Sequence, residues 1–378
     1  SFFFLSGLLL GFIWFKNYKK NPRQLTSSSA WIMFYVHRIL RLSPPYYFAS
    51  MFAAFVENPR MLGGMPIFMN LYSSVAGVCN TSWWAALLYV SNYVYYDSAC
   101  FSVGWYLSSE MQMFLFTPIL LIALGKKPVL GLLLSALVIL LSTAAHFFTI
   151  YHFHYGANNM DIGPADPELT HLDDYGLWIY AAPYIRCQIY VMGILVGWLL
   201  QQKKAVKINP FVNLVCWLLS FCLMLTVVLG LYSHNNGLYL SVFWRAAYSS
   251  LSRPAWGLAL AWIIISCYYG YGRPINDFMS WWIWVPLGRL TYCGYLIHVP
   301  LITYCYGLTK QPNIYFSNFT EMVTRLSFFI SICNFAYPQF VTRILPFIVL
   351  TFFFSVFWSA FFEISFGKVD TYRYCFVD

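Results

Sequence analysis

Charge is scarce in this chain. Of its 378 residues only 9% are Asp, Glu, Lys or Arg, while 60% are hydrophobic and 21% aromatic, and the mean hydropathy is +0.62. A water-soluble domain cannot hide that much apolar surface, so the shortage of charge excludes one and leaves an integral membrane protein. Also missing are the CxxC, HExxH, GxSxG and phosphate-loop patterns, so the functions those spacings carry have no support here. Nothing resembles a metal-ligand cluster, and no metal or bound cofactor is expected. Acidic residues are the scarcest charges, 13 against 22 Lys and Arg, for a net charge of +9. The basic residues sit in short clusters between apolar runs rather than along one face. That makes them a topology signal and argues against nucleic acid as a partner.

What is present is a series of long apolar stretches, at about 1–15, 33–56, 101–124, 128–150, 176–200, 208–232, 240–266, 281–308 and 344–366. They predict an all-α fold: a polytopic membrane helix bundle of about 9 to 10 transmembrane helices forming one domain over 1–378. The apolar run after Ser1 reaches about 21 Å, short of the roughly 30 Å hydrocarbon core, so the chain is expected to be N-terminally truncated. Segment 321–343 is interrupted by Arg325, Asn334 and Pro338 and reads as irregular or inserted.

The clusters KNYKKNPR (16–23), GKK (125–127) and QQKKAVK (201–207) alternate with loops poor in Lys and Arg. Under the positive-inside rule they face the cytosol. Loops 57–100, 158–176, 233–237 and 310–321 then face outward, toward the lumen or the outside of the plasma membrane. The sequons at Asn80 and Asn318 both fall on that outer side, as glycosylation would require, although a chance match explains each equally well. Cys79 and Cys100 share an outer loop, where an oxidising compartment would allow them to pair. Cys187, Cys216, Cys222 and Cys267 lie in apolar runs and read as packing residues. The acidic residues of 158–176, Asp161, Asp166, Glu168, Asp173 and Asp174 with His171, read as a solvated loop.

Ionisable groups are costly within a bilayer and usually face the bundle interior or a functional path. Here they are Glu110, Arg186, Arg245, Arg253, Arg289 and His298, with Arg38, Arg41 and Glu363 nearer the cytosolic ends. Arg245 and Arg253 are expected to snorkel or to pair inside the bundle. For Arg186, structural pairing and substrate contact both stand open, and it is a possible counter-ion for Glu110. His298 can exchange a proton near neutral pH, and Tyr295, three residues earlier, shares its helical face; a packing histidine is the plainer alternative. Arg38 and Arg41 also share a face, just before Pro44-Pro45, which should bend or break the chain. Such a pair could hold phosphates or simply anchor the helix in the cytosol.

Read together and in order, FFFLSGLLLG near the start, HRILRLSPPYY (37–47), GWYLSSEMQMFLFTP (104–118), Arg186 with Gly193 and Gly197, LGRLTYCGYLIHVPL (287–301) and FFE (361–363) resemble the acyltransferase 3 family. The resemblance is to the animal branch named for nose resistant to fluoxetine proteins. It implies a roughly ten-helix membrane domain that moves an acyl group from cytosolic acyl-CoA, as co-substrate, to a hydroxyl acceptor on a lipid or carbohydrate. It also implies a preceding helix with an Arg and, eleven residues later, a catalytic His. No Arg in this sequence has a His at that spacing. By the same resemblance Arg38 and Arg41 match positions that meet the CoA end. Trp105, Glu110, Arg186, Tyr295 and His298 match recurrent pore or site positions. His298, Tyr295 and Glu110 are thus the expected catalytic group, with Arg38, Arg41, Trp105, Arg186 and Arg289 as substrate contacts. Two departures stand out: Ser365 where the family ends in Phe-Glu-x-Pro, and the stretch ICNFAYPQFVTR ahead of the last helix. Membrane lipid is an expected partner, in the plasma membrane or the endoplasmic reticulum. The rival readings are a lipid or small-molecule transporter, against which no internal repeat is found, and a catalytically dead member.

Overall fold

The computed structural model describes residues 1–56, 79, 81–94, 100–158, 174–202, 206–237, 240–307 and 345–364, and among them there is no strand. Asn80, Asn318, segment 321–343, most of the acidic loop and the C-terminal tail lie outside the described residues. The main helices are α1 (Phe2–Tyr18), α2 (Ser28–Phe52), α3 (Gly104–Lys126), α4 (Pro128–Phe153), α5 (Pro183–Gln202), α6 (Pro210–Leu229), α7 (Val242–Tyr268), α8 (Trp284–Gly307) and α9 (Leu345–Trp358). Each matches one apolar stretch of the sequence. Helix is what such stretches must form, because lipid offers no partner for an unpaired peptide group. Among the described residues, five spans are long and apolar enough to cross a membrane: Gly104–Lys126, Pro128–Phe153, Gly176–Gln202, Pro210–His234 and Val242–Tyr268. Helix starts are marked in the expected way. Pro128 and Pro210 open α4 and α6, and the Asn209 side chain caps the latter by accepting from Phe211 N at 2.9 Å.

Two boundaries differ from expectation. The stretch 176–200 is not one α-helix: Gly176–Tyr180 is a π turn, and α5 starts only at Pro183. Proline has no N–H to continue the ladder, and it disfavours helical backbone in the residue before it. The Ala181 carbonyl next to this break is taken up instead by Ser109 Oγ at 2.7 Å and Asn92 Nδ2 at 3.4 Å. At Pro44-Pro45 the opposite holds, and α2 runs through both prolines without a break. Tyr292 Oη donates to Leu42 O at 2.6 Å and Trp358 Nε1 to Pro45 O at 3.4 Å, so the helix is tied on both sides of the pair.

The chain divides into two compact units, one of residues 1–35, 88–97 and 105–281, the other of 36–87, 98–104 and 282–378. In the first, α1 packs along α5, and α7 packs against α4, α5 and α6. Glycines bring α1 and α5 into backbone contact. A Cβ on Gly193 would lie 2.1 Å from Phe4 O, one on Gly7 2.2 Å from Tyr190 O, and one on Gly197 2.5 Å from Leu8 O. The paired spacings Gly7/Gly11 and Gly193/Gly197 are the small-x-x-x-small pattern of close membrane helix pairs. Phe4, Leu8, Ile189, Met192 and Val196 fill in around them. A second cluster, with Trp14, Phe15, Met113, Leu121 and Leu124, joins α1 to α3. In the second unit α8 packs on α9, Phe48 stacks on Phe362 at 4.3 Å between ring centroids, and Cys79 is disulfide-bonded to Cys100.

Candidate functional site

The second unit holds the His298 site. From α8, Tyr295 Oη donates to Val103 O at 2.7 Å, one turn above the Tyr292 bond to Leu42. The Tyr295 proton is thus committed to a backbone carbonyl, and the side chain anchors α8. His298 is half-buried on the same face, its ring 5.6 Å from that of Tyr295. Its Nδ1 lies 2.6 Å from Tyr295 O. A carbonyl can only accept, so Nδ1 carries a proton, and in that tautomer of the imidazole Nε2 is the acceptor. Nε2 has no hydrogen-bond partner among the described residues. Pro300, two residues on, removes the N–H that would have bonded Leu296 O and loosens the helix beside the imidazole.

Arg38 and Arg41 belong to the same unit but differ in environment. Arg38 is half-buried and Arg41 exposed, so the second is the more open to a polyanion from solvent. Arg289 is exposed and lies nine residues before His298, roughly 13 Å away along the helix. The structure therefore sets it apart from the imidazole.

Trp105, Glu110 and Arg186 lie in the first unit. Arg186 follows the break at Pro183, where its Nε donates to Tyr180 O at 2.8 Å. Its guanidinium stands 4.9 Å from the Tyr180 ring centroid and 5.7 Å from that of Trp105. Such stacking suits a weakly hydrated planar cation within a bilayer. Glu110 is buried, 7% exposed, and accepts a hydrogen bond from Ser6 Oγ of α1.

Around Glu110 runs a polar network that the sequence reading did not pick out. Ser91 and Ser108 hydroxyls are 2.8 Å apart. The Asn92 and Gln112 amides bond each other reciprocally at 3.1 and 2.9 Å, and Gln112 Nε2 also donates to Tyr89 O at 2.8 Å. The signal was visible as the polar run SSEMQ inside an apolar helix. Because its groups are paired with one another and with backbone, the network reads as the attachment of segment 89–92 to α3.

In comparison with known proteins, the chain is 31% identical over 346 residues to nose resistant to fluoxetine protein 6 of Caenorhabditis elegans, covering 85% of this chain and 40% of that protein. It is 25% identical over 316 residues to regulator of hypoxia-inducible factor 1 of the same organism, covering 80% of this chain and 58% of that one. The chain thus spans about half the length of the curated relatives it matches. No family model matches it, and no solved structure does.

Proposed function

For a membrane protein related over most of its length to the nose resistant to fluoxetine proteins, we infer an acyl transferase that uses acyl-CoA as donor and a lipid or carbohydrate hydroxyl as acceptor. The observation that carries the reading is the contact of His298 Nδ1 with Tyr295 O on a half-buried helix face, which leaves Nε2 as the nitrogen that can meet an acceptor hydroxyl. In the reaction the acceptor O–H gives up its proton, the oxygen attacks the thioester carbonyl, an ester C–O bond forms, the C–S bond breaks, and CoA leaves as the thiol with the proton. His298 Nε2 receives the hydrogen bond of the acceptor hydroxyl and so fixes the attacking oxygen. Tyr295 and Tyr292 hold α8 in place for it. Arg38 and Arg41, midway along α2 and just before Pro44-Pro45, hold the CoA phosphates. The membrane is the plasma membrane or the endoplasmic reticulum, in keeping with a disulfide on the outer side.

The test uses full-length protein in nanodiscs with acyl-CoA and candidate hydroxyl acceptors. CoA thiol release matched one for one by acylated acceptor supports the reading. Thiol release that never exceeds the protein-free background removes it and leaves a catalytically dead member. A transporter is the second reading, favoured by the buried cations of the first unit. It predicts uptake of labelled lipid into vesicles without acyl-CoA.

A further inference from the structure

Three helices of the first unit, α4, α5 and α7, bring together polar groups that the acyl-transfer reading does not use. Ser249 and Arg253 are four residues apart on α7 and share a face. Opposite them on α4 is His146, fully buried, with Nε2 3.2 Å from Ser249 Oγ. From α5 comes Gln188, also fully buried, whose Oε1 accepts from Thr143 Oγ1 at 2.7 Å. Arg186, at the start of α5, acts electrostatically on both His146 and Arg253, so the two guanidiniums and the imidazole lie in one neighbourhood.

Three nitrogens in this cluster are left over. Arg253 Nη1, His146 Nδ1 and Gln188 Nε2 are buried and have no hydrogen-bond partner among the described residues. All three can donate: the guanidinium always does, the amide nitrogen can do nothing else, and Nδ1 carries the imidazole proton when Ser249 donates to Nε2. Buried polar groups in proteins are nearly always paired, and several orphan donors on three helices packed together call for an acceptor. Charge points the same way. The groups acting on Arg253 are Arg186, Tyr175 and Tyr180, with no carboxylate among them. The described carboxylates of the first unit are Glu110, Asp174 and Asp277. None of the three is among the groups that act on Arg253. A guanidinium such as that of Arg253, at membrane depth beside a second cation, calls for an anion.

We propose that this cluster binds the anionic group, a carboxylate or a phosphate ester, of a membrane amphiphile. Arg253 and Arg186 keep part of their surface accessible, so the site can be reached. Arg253 lies about 16 Å along α7 from its outer end, a depth at which a free ion must shed its water. An amphiphile brings its anion there with its chain in the bilayer, along apolar side chains such as Leu251 and Leu258, which are more than half exposed. The site does not depend on acyl transfer at His298, and the two can fail separately.

The experiment uses full-length protein in phosphatidylcholine nanodiscs. Binding is measured for labelled palmitate and phosphatidic acid, for their neutral counterparts hexadecanol and diacylglycerol, and for inorganic phosphate. Saturable binding of an anionic amphiphile, at least tenfold tighter than its neutral counterpart, is expected. Arg253→Met and Gln188→Leu should each weaken it by tenfold or more, with folding checked by thermal unfolding. Arg273→Gln, which removes an exposed charge elsewhere in the unit, should leave it unchanged. If Arg253→Met does not fold, Gln188→Leu and Arg253→Lys carry the comparison. Equal binding of charged and neutral amphiphiles, or unchanged affinity in folded Gln188→Leu, overturns the proposal. Inorganic phosphate binding as tightly as phosphatidic acid also overturns it, in favour of a free-ion site.

Discussion

Helices α1 and α5 of the first unit meet backbone to backbone, whereas α8 and α9 of the second meet through side chains. A Cβ at Gly193 would fall 2.1 Å from a carbonyl oxygen of α1, while one at Gly294 would meet only a Thr351 methyl at 3.8 Å, and one at Gly288 nothing within 4 Å. The second unit is held instead by tyrosine and tryptophan reaching backbone carbonyls, at Leu42, Val103 and Pro45. Close glycine packing leaves no room for adjustment. Hydrogen bonds from long aromatic side chains leave His298, one turn beyond Tyr295, half-buried. The difference fits a scaffold role for the first pair of helices and the proposed chemistry for the second.

The sharpest way to break this contrast is Gly193→Val. Two helix backbones must separate to admit the side chain, at a cost of about 3 kcal/mol or more. The expected result is loss of the monodisperse peak in size-exclusion chromatography, and a variant with wild-type thermal stability would remove the scaffold role. Next is Gln112→Leu, which leaves the Asn92 amide oxygen and Tyr89 carbonyl without their donor. A loss of about 1–3 kcal/mol is expected in thermal unfolding. Tyr295→Phe should cost only about 1 kcal/mol, because a single hydrogen bond to Val103 O is lost. Its transferase activity should fall modestly, through the positioning of α8. The smallest effect belongs to Gly294→Ala, where the space is open and alanine is the better helix former. It should be neutral or stabilising by up to about 1 kcal/mol.

The helices were legible in the sequence because each is an apolar stretch bounded by basic clusters, proline or polar loops, and lipid permits little else. The glycine pairs of α1 and α5 could be read at the correct spacing, though not which helix each would meet. Where local rules failed, tertiary contacts had intervened. Pro44-Pro45 did not break α2, which is tied by Tyr292 and Trp358, while Pro183 did break the stretch before α5, where Ser109 and Asn92 satisfy the exposed carbonyl. Of the candidate site, the motif containing Tyr295 and His298 was visible, but the commitment of the Tyr295 hydroxyl to Val103 was not. Arg253 was legible as an intramembrane charge, but its neighbours His146, Gln188 and Ser249 escaped the reading because they come from three helices. Each alone looks like an isolated polar residue in an apolar run.

The measurement that bears most directly on the central claim compares wild type, His298→Ala and Gly294→Ala as full-length proteins in nanodiscs. The formation of acylated acceptor from labelled acyl-CoA is followed in each, with equal amounts of folded protein. Removing a group that fixes the attacking hydroxyl should lower the rate by about 100-fold or more, while Gly294→Ala stays close to wild type. A His298→Ala variant that turns over as fast as Gly294→Ala would contradict the account and return His298 to the role of a packing residue.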